Sequence, residues 1–172
     1  MTEHGIREIQ VACFRLGADI YAMDIMRIRE IIRPQKLVVL PKAPEFMEGA
    51  INLRGTVIPV VDLRKRFDMP PEDGNPLRRL LIVAMAGFSV GFMVDEVTEV
   101  ITVSVENIKH PPQMTSYIGT EYLVGVCLVG EDMVMLLNPD SLLTKSEANE
   151  LGRIGKVNDE PAGNGAEAQL NM

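Results

Sequence analysis

The apolar residues of this chain come in short runs, and nearly every run is closed by a glycine or a proline. Ile9–Leu16 and Ile20–Met23 flank Gly17-Ala18-Asp19, a hairpin signal. Leu37–Leu40, Ala50–Leu53, Val57–Val61, Leu80–Ala86, Val90–Val94, Val97–Val103, Leu123–Val129 and Met133–Leu137 follow. Gly55, Pro70-Pro71, Gly87, Pro111-Pro112, Gly119 and Gly130 punctuate them. Short strands at this spacing predict an all-β barrel or sandwich. Helical pieces are few. Asp62–Phe67 reads as one short helix capped by Asp62. Residues 139–150 read as another, with Asn138 as cap, Pro139 at the first helical position and Leu142, Leu143 and Leu151 on its face. Asp24–Ile32 has isoleucines at helical spacing, but its β-branched content favours a turn followed by a strand.

A repeat organises these strands. Shifted by 69, Ala22–Ile32 falls on Gly91–Ile101, so that Ile28 meets Val97 and Glu30 meets Glu99. Downstream, INLRGTVIPVVDL lies on VCLVGEDMVMLLN, with Gly55 on Gly130 at a shift of 75. Both copies keep the order strand, glycine turn, strand, polar cap, which compositional bias alone does not preserve. The expectation is two similar five-stranded lobes inside a domain spanning 1–150. The first covers about 15–75 and the second about 76–140, with a contribution from the N-terminal strand. Lobes this small are marginal alone and must bury an apolar interface against each other. Asp68–Pro76 reads as a linker, and the glycine-rich, aliphatic-poor stretch 151–172 as a disordered tail.

Composition narrows the function. With no Trp, three Tyr and five Phe, the core is aliphatic and includes many of the eleven Met. A net charge of −7 repels phosphate backbones, which argues against nucleic acid. Arg64-Lys65-Arg66 and Arg78-Arg79 read as solvated ends of elements. No stretch reaches the ~18 apolar residues that span a bilayer, and MTEHGIREIQ lacks the apolar centre of a signal peptide. Cys13 and Cys127 sit in apolar runs and read as small buried hydrophobes, although spacing leaves a disulfide open. A cytoplasmic location is expected.

Nothing advertises chemistry. His4 and His110 lack metal-ligand spacing, and no nucleophile elbow, phosphate loop or zinc-protease motif occurs. Ser89, Ser104, Ser116, Ser141 and Ser146 have no base nearby in sequence. The acids Asp24, Glu30, Asp95, Glu96 and Glu99 read as solvated strand edges. The expectation is a protein that is not an enzyme, with no cofactor and no metal.

One run stands apart, INLRGTVIPVVDLRKRF from Ile51 to Phe67. Residue by residue, Arg54-Gly55 is a two-residue turn with Gly55 at positive φ, Pro59 implies an edge strand or bulge, and Asp62 is a cap. As a whole, G-x-x-N-L-R-G-x-x-x-P-V-x-D-L-R from Gly49 to Arg64 resembles the CheW family of chemotaxis coupling proteins. The similarity extends over about Ile9–Leu143 and includes MDIMRIREII, LPKAPEFMEGAINLRG, GFMVDEV and EYLVG. The resemblance implies two SH3-like barrels around a common core, and an adaptor tying the histidine kinase CheA, through its regulatory domain, to the cytoplasmic tips of chemoreceptors. It implies peripheral association with membrane receptor arrays, without insertion, and opens the way to ring assembly. By matching positions it assigns receptor contact to Ile28, Glu30, Gly49, Arg54 and Gly55, and kinase contact to Ile32, Leu37 and Val39. Two other readings stand beside it: an adaptor of an array controlling surface motility or gene expression, and a small-molecule-binding or catalytic β-barrel.

Overall fold

The computed structural model describes residues 7–110 and 120–157. His4, Pro111-Pro112, Ser116, Gly119 and the tail from residue 158 lie outside the described residues. Ten strands occur in chain order: β1 (Glu8–Leu16), β2 (Asp19–Asp24), β3 (Ile28–Ile32), β4 (Gly49–Leu53), β5 (Thr56–Asp62), β6 (Arg79–Ala84), β7 (Ser89–Val94), β8 (Glu96–Ser104), β9 (Leu123–Val129) and β10 (Asp132–Leu137). Two helices, α1 (Leu63–Arg66) and α2 (Lys145–Val157), join them. Leu37–Leu40 forms no full strand. Prolines at 34, 41 and 44 remove backbone donors around it, and a single bridge from Val38 to Ala50 remains.

Two five-stranded sheets result, in the orders β3-β6-β7-β5-β4 and β8-β1-β2-β10-β9. They are the same sheet built twice. The antiparallel pairing of β1 with β2 recurs residue for residue in β6 with β7 at the shift of 69: Cys13 faces Ala22, and Ile82 faces Gly91. Each copy carries a bulge at the same place, with Arg29 the extra residue in β3 and Thr98 in β8. Each joins two strands in parallel, β5 with β7 and β10 with β2.

The lobes do not follow the expected division near residue 75. The first lobe takes β3, β4 and β5 from one repeat and β6 and β7 from the next. The second lobe takes β1 and β2 together with β8, β9 and β10. Each repeat thus gives two strands to one sheet and three to the other. Because the pairing partners are interchangeable copies, the repeat pattern does not reveal which copy supplies each strand.

The downstream register also differs from the expected one. Gly49 pairs with Val60 and Gly125 with Leu136, a shift of 76. That register aligns the caps: Asp62 accepts from the Arg64 N–H at 2.9 Å, and Asn138 accepts from the Asp140 N–H at 3.0 Å. It sets Gly49, not Gly55, against a glycine. Each of these two glycines lies under the segment that brings the two edges of its sheet together. Val38 and Ala50 exchange two backbone hydrogen bonds of 2.8 Å, as do Lys109 and Val126. A Cβ on Gly49 would lie 2.9 Å from the Val38 carbonyl oxygen, and one on Gly125 would lie 2.5 Å from that of Lys109.

Pro59 is not at an edge, since β5 runs between β4 and β7. In the second lobe Met135 pairs with Tyr21, but the matching ladder of the first lobe begins only at Val60. The ladder of the second lobe starts at Val134, the counterpart of Ile58; the proline removes the donor at 59, and the ladder of the first lobe starts two residues later, at Val60.

Three apolar clusters follow from this plan. Val11, Cys13, Cys127, Val134 and Leu136 fill the second lobe, while Ile51, Ile58, Val60, Leu80 and Ile82 fill the first. Between the lobes lie Phe14, Leu16, Val61, Leu63, Leu81, Val83, Phe92 and Leu137. Alternate residues of β6 serve different clusters, which explains its unbroken Leu80-Leu81-Ile82-Val83 run. Both cysteines are free and buried, and burial pushes the Cys13 thiol up to about 11.

The connectors cross between lobes. Phe67, from the end of α1, stacks between Tyr21 and Tyr122 of the second lobe, with centroids 5.5 and 5.1 Å away. Met69 reaches Gly17, so the expected linker is docked where it begins. In return α2 packs on β5. Asn138 caps only a 3₁₀ turn over Pro139–Ser141. The α-helix starts later, where Thr144 and Glu147 exchange hydrogen bonds between side chain and backbone N–H, a capping box in T-K-S-E. It runs past residue 150 to Val157. Leu151 is fully buried in the shared core, and Gly152 and Gly155 lie against the ring of Phe88. Two glycines cost a helix roughly 2 kcal/mol, and burying a leucine in the core offsets a cost of that size.

Candidate functional site

The two edges of the first sheet, β3 and β4, curl toward each other, and on that seam the expected receptor residues meet. Arg54 and Glu30 form an ion pair across it, with Arg54 the more exposed partner. Arg54 and Gly55 both have positive φ, 52° and 89°, the geometry of a tight two-residue hairpin turn. Arginine is an uncommon choice at such a position, because its Cβ crowds the backbone there. The Asn52 side chain holds the turn by accepting from the Gly55 N–H at 2.8 Å.

Ile28 and Ile32 are four residues apart and would share a face in a regular strand. The bulge at Arg29 separates them. Ile28 packs on the core between the lobes, while Ile32 packs with Leu37 on the interior of the first lobe. Val39 beside them is 77% exposed, and so is much of Val38. The expected residues therefore fall into separate places. Ile28 packs on the core between the lobes, Glu30, Arg54 and Gly55 lie at the seam between β3 and the β4–β5 turn, and Ile32, Leu37 and Val39 lie together elsewhere on the first lobe. Gly49 stands apart, buried beneath the Val38 carbonyl, where it permits the edges to meet.

Two residues of these surfaces were missed in the sequence. Val97 is the repeat counterpart of Ile28 and packs on the shared core from the other lobe; the shift of 69 already pointed to it. Val38 was hidden inside an apolar run that reads as a buried strand.

The acids do not behave as a set of solvated edges. Asp95 is buried and accepts from Arg64 through both oxygens at 2.7 and 2.8 Å, and from the Gly17 N–H at 2.7 Å. Burial alone pushes its carboxyl up, but the hydrogen bonds from Arg64 and Gly17 outweigh that and hold it below the usual range. This pair pins α1 to the β1–β2 turn, so Arg64 is a buried structural residue rather than the solvated end of an element. Arg66 ties α1 to α2 through Glu147, with both contacts at 3.0 Å. Arg27 bridges Asp140 and the Ala84 carbonyl, and its hydrogen bond draws the Asp140 carboxyl down. Burial pushes Asp62 up, although the Arg64 N–H and Arg78 oppose it. Every shifted carboxyl is thus committed to holding elements together.

Among the described residues no cluster of His, Cys, Asp and Glu is arranged to hold a metal ion. An open cleft of about 620 Å³ lies between the β6–β7 hairpin and α2, lined by Phe88, Leu143, Lys145 and Arg153 among others. No described helix is long and apolar enough to cross a membrane.

The CheW-like domain model matches residues 10–147. The chain belongs to the CheW-like family. A chemotaxis protein CheW of Treponema pallidum is 33% identical over 151 residues, covering 86% of this chain and 89% of that protein. One of Rhizobium etli, named a probable chemotaxis protein CheW, is 30% identical over 81% of this chain and 90% of its own length. The crystal structure of the scaffolding protein TtCheW from Thermoanaerobacter tengcongensis matches with a TM-score of 0.70 and 33% identity, over 80% of this chain and 89% of that one. The duplicated SH3-like β fold is therefore that of a CheW-like chemotaxis adaptor, a class of scaffold rather than of enzyme.

Proposed function

We propose that this CheW-like chain couples the cytoplasmic tips of chemoreceptors to the regulatory domain of the histidine kinase CheA, in peripheral association with receptor arrays. The observation that carries this reading is the Glu30–Arg54 pair on the seam between β3 and β4, two residues along β3 from Ile28, in a chain of the CheW-like family. A receptor tip is a helical hairpin, and its apolar face suits the aliphatic ground of Ile28 and Val97. The exposed pair then selects polar partners and register. Ile32, Leu37 and Val39 on the first lobe would serve the kinase, whose regulatory domain shares the fold. A small apolar patch of this kind suits a modest, reversible contact. An array with another output, such as surface motility, would use the same surfaces; the motility of a deletion strain separates the two.

Pull-down of the full chain with a receptor signalling fragment and the kinase regulatory domain tests the proposal. Recovery of both supports it, and recovery of neither overturns it. Arg54→Glu is the control. It should shift the melting temperature by no more than about 4 °C, since exposed pairs contribute ~0–1 kcal/mol. Receptor recovery should nevertheless fall sharply, with kinase recovery intact.

A further inference from the structure

Because each lobe repeats the other, each is a control for what the other leaves open. In the first lobe the outward face of the β4–β5 ribbon carries Ala50, Asn52, Val57 and Pro59. Ala50 and Pro59 are buried, and α2 packs on β5. The same places in the second lobe hold Val126, Leu128, Met133 and Met135. No described helix makes a comparable contact there: α1 is four residues long, and the Phe67 that follows it lies against Tyr21 and Tyr122. Leu128 is 73% exposed and Met133, directly across the ladder, 55%; Val124, farther along β9 on the same face, is 48% exposed. Where the first lobe needs only a soluble hairpin it carries Asn52; the second lobe carries Leu128.

Exposed Glu106, Glu121, Glu131 and Asp132 stand on the elements around this face, with Lys109 as the opposing cation. We propose that the outward face of β9–β10 is a docking surface for an amphipathic helix with basic flanks, supplied by a partner protein and seated as α2 is seated on β5. The covering helix of the first lobe supplies the template: Ala148, Leu151 and Ile154 turn one stripe to the core. The acidic surroundings then select lysine or arginine at the ends of the incoming helix. This surface is separate from the Glu30–Arg54 seam and from Val39.

The probe is a fluorescein-labelled peptide of about 18 residues, with leucines at i, i+3, i+4 and i+7 and lysines at both ends. Its anisotropy is titrated with the full chain, beside a scrambled peptide of the same composition. The helix-patterned peptide should bind wild type, and Leu128→Asn with Met133→Thr should weaken it at least about tenfold, as loss of a central apolar anchor does. Leu77→Asn, at an exposed apolar residue of the first lobe's connector, should leave binding unchanged. If the double variant melts lower, Leu128→Asn alone is used, since it places on β9 the residue that β4 already carries. Absence of binding, equal binding by wild type and variant, or equal binding of the scrambled peptide overturns the proposal. So does a wild-type dimer in sedimentation that the variant dissolves, because the occupant would then be a second copy.

Discussion

Gly125 shows how one residue permits two backbone segments to lie against each other. It pairs with Leu136 and lies under the Lys109 carbonyl, where a Cβ would come within 2.5 Å of backbone oxygen. Gly49 holds the matching place with slightly more room, 2.9 Å from Val38. Backbone moves less readily than a side chain, so both substitutions to alanine should destabilise. About 1–3 kcal/mol is expected, with Gly125→Ala the worse. Chemical denaturation of the two variants measures this; a neutral Gly125→Ala would mean that the closing segment is not held there. Asp95 decides behaviour in acid. Its folded carboxyl lies below its ordinary value, so the stability it contributes is present above about pH 4 and is lost as pH falls through the folded value. Asp140 and Glu147 act in the same direction. Asp62, held above its ordinary value, acts in the opposite one: what it contributes is present at low pH and lost as pH rises through that value. Asp95→Asn should cost about 3–5 kcal/mol at neutral pH, because Arg64 is left buried without its counter-charge. Its stability should also fall less steeply than that of wild type between pH 5 and 3, as unfolding curves across that range will show.

At the scale of the element, α2 differs most from its sequence reading. The apolar content around Leu151 is thin and two glycines follow, so local propensity predicts an end near residue 150. The helix continues because Phe88, on the β6–β7 hairpin, fills the space that the glycines leave. Leu151→Ala should cost about 2–5 kcal/mol. Truncation after Glu150 should lower the melting temperature by a similar margin, whereas truncation after Val157 should have no such effect. Equal melting of the two truncated chains would return residues 151–157 to the tail. The Thr144–Glu147 capping box is written in the sequence as T-K-S-E, five residues after Pro139, which opens only a 3₁₀ turn. The α1 helix, by contrast, was legible through its cap: Asp62 sits where expected and does what a cap does.

At the scale of the whole molecule, the exchange of strands between repeats makes the halves interdependent. A break between Asn75 and Pro76 leaves β1 and β2 with three strands of the wrong lobe, and β6 and β7 likewise. Fragments 1–75 and 76–157 should each lack a cooperative melt, and mixing them should restore one. A cooperative transition in either fragment alone would show that a sheet assembles without exchange.

Most of the strands, the existence of the repeat, the cap at Asp62 and the family motif were legible in the sequence; the run Leu37–Leu40 and the downstream register were not. Each legible feature is written in local spacing: period-two alternation, turn glycines, a polar residue before a helix. The pairing of repeats, the bulge that parts Ile28 from Ile32 and the burial of Arg64 with Asp95 were not legible either. Those depend on which distant segments meet, and two copies of the same strand order offer the same local signals for either choice. The candidate site divides along the same line. Sequence named Glu30 and Arg54 separately, at opposite edges of one sheet. Tertiary structure made them a pair, because the sheet curls until those edges meet.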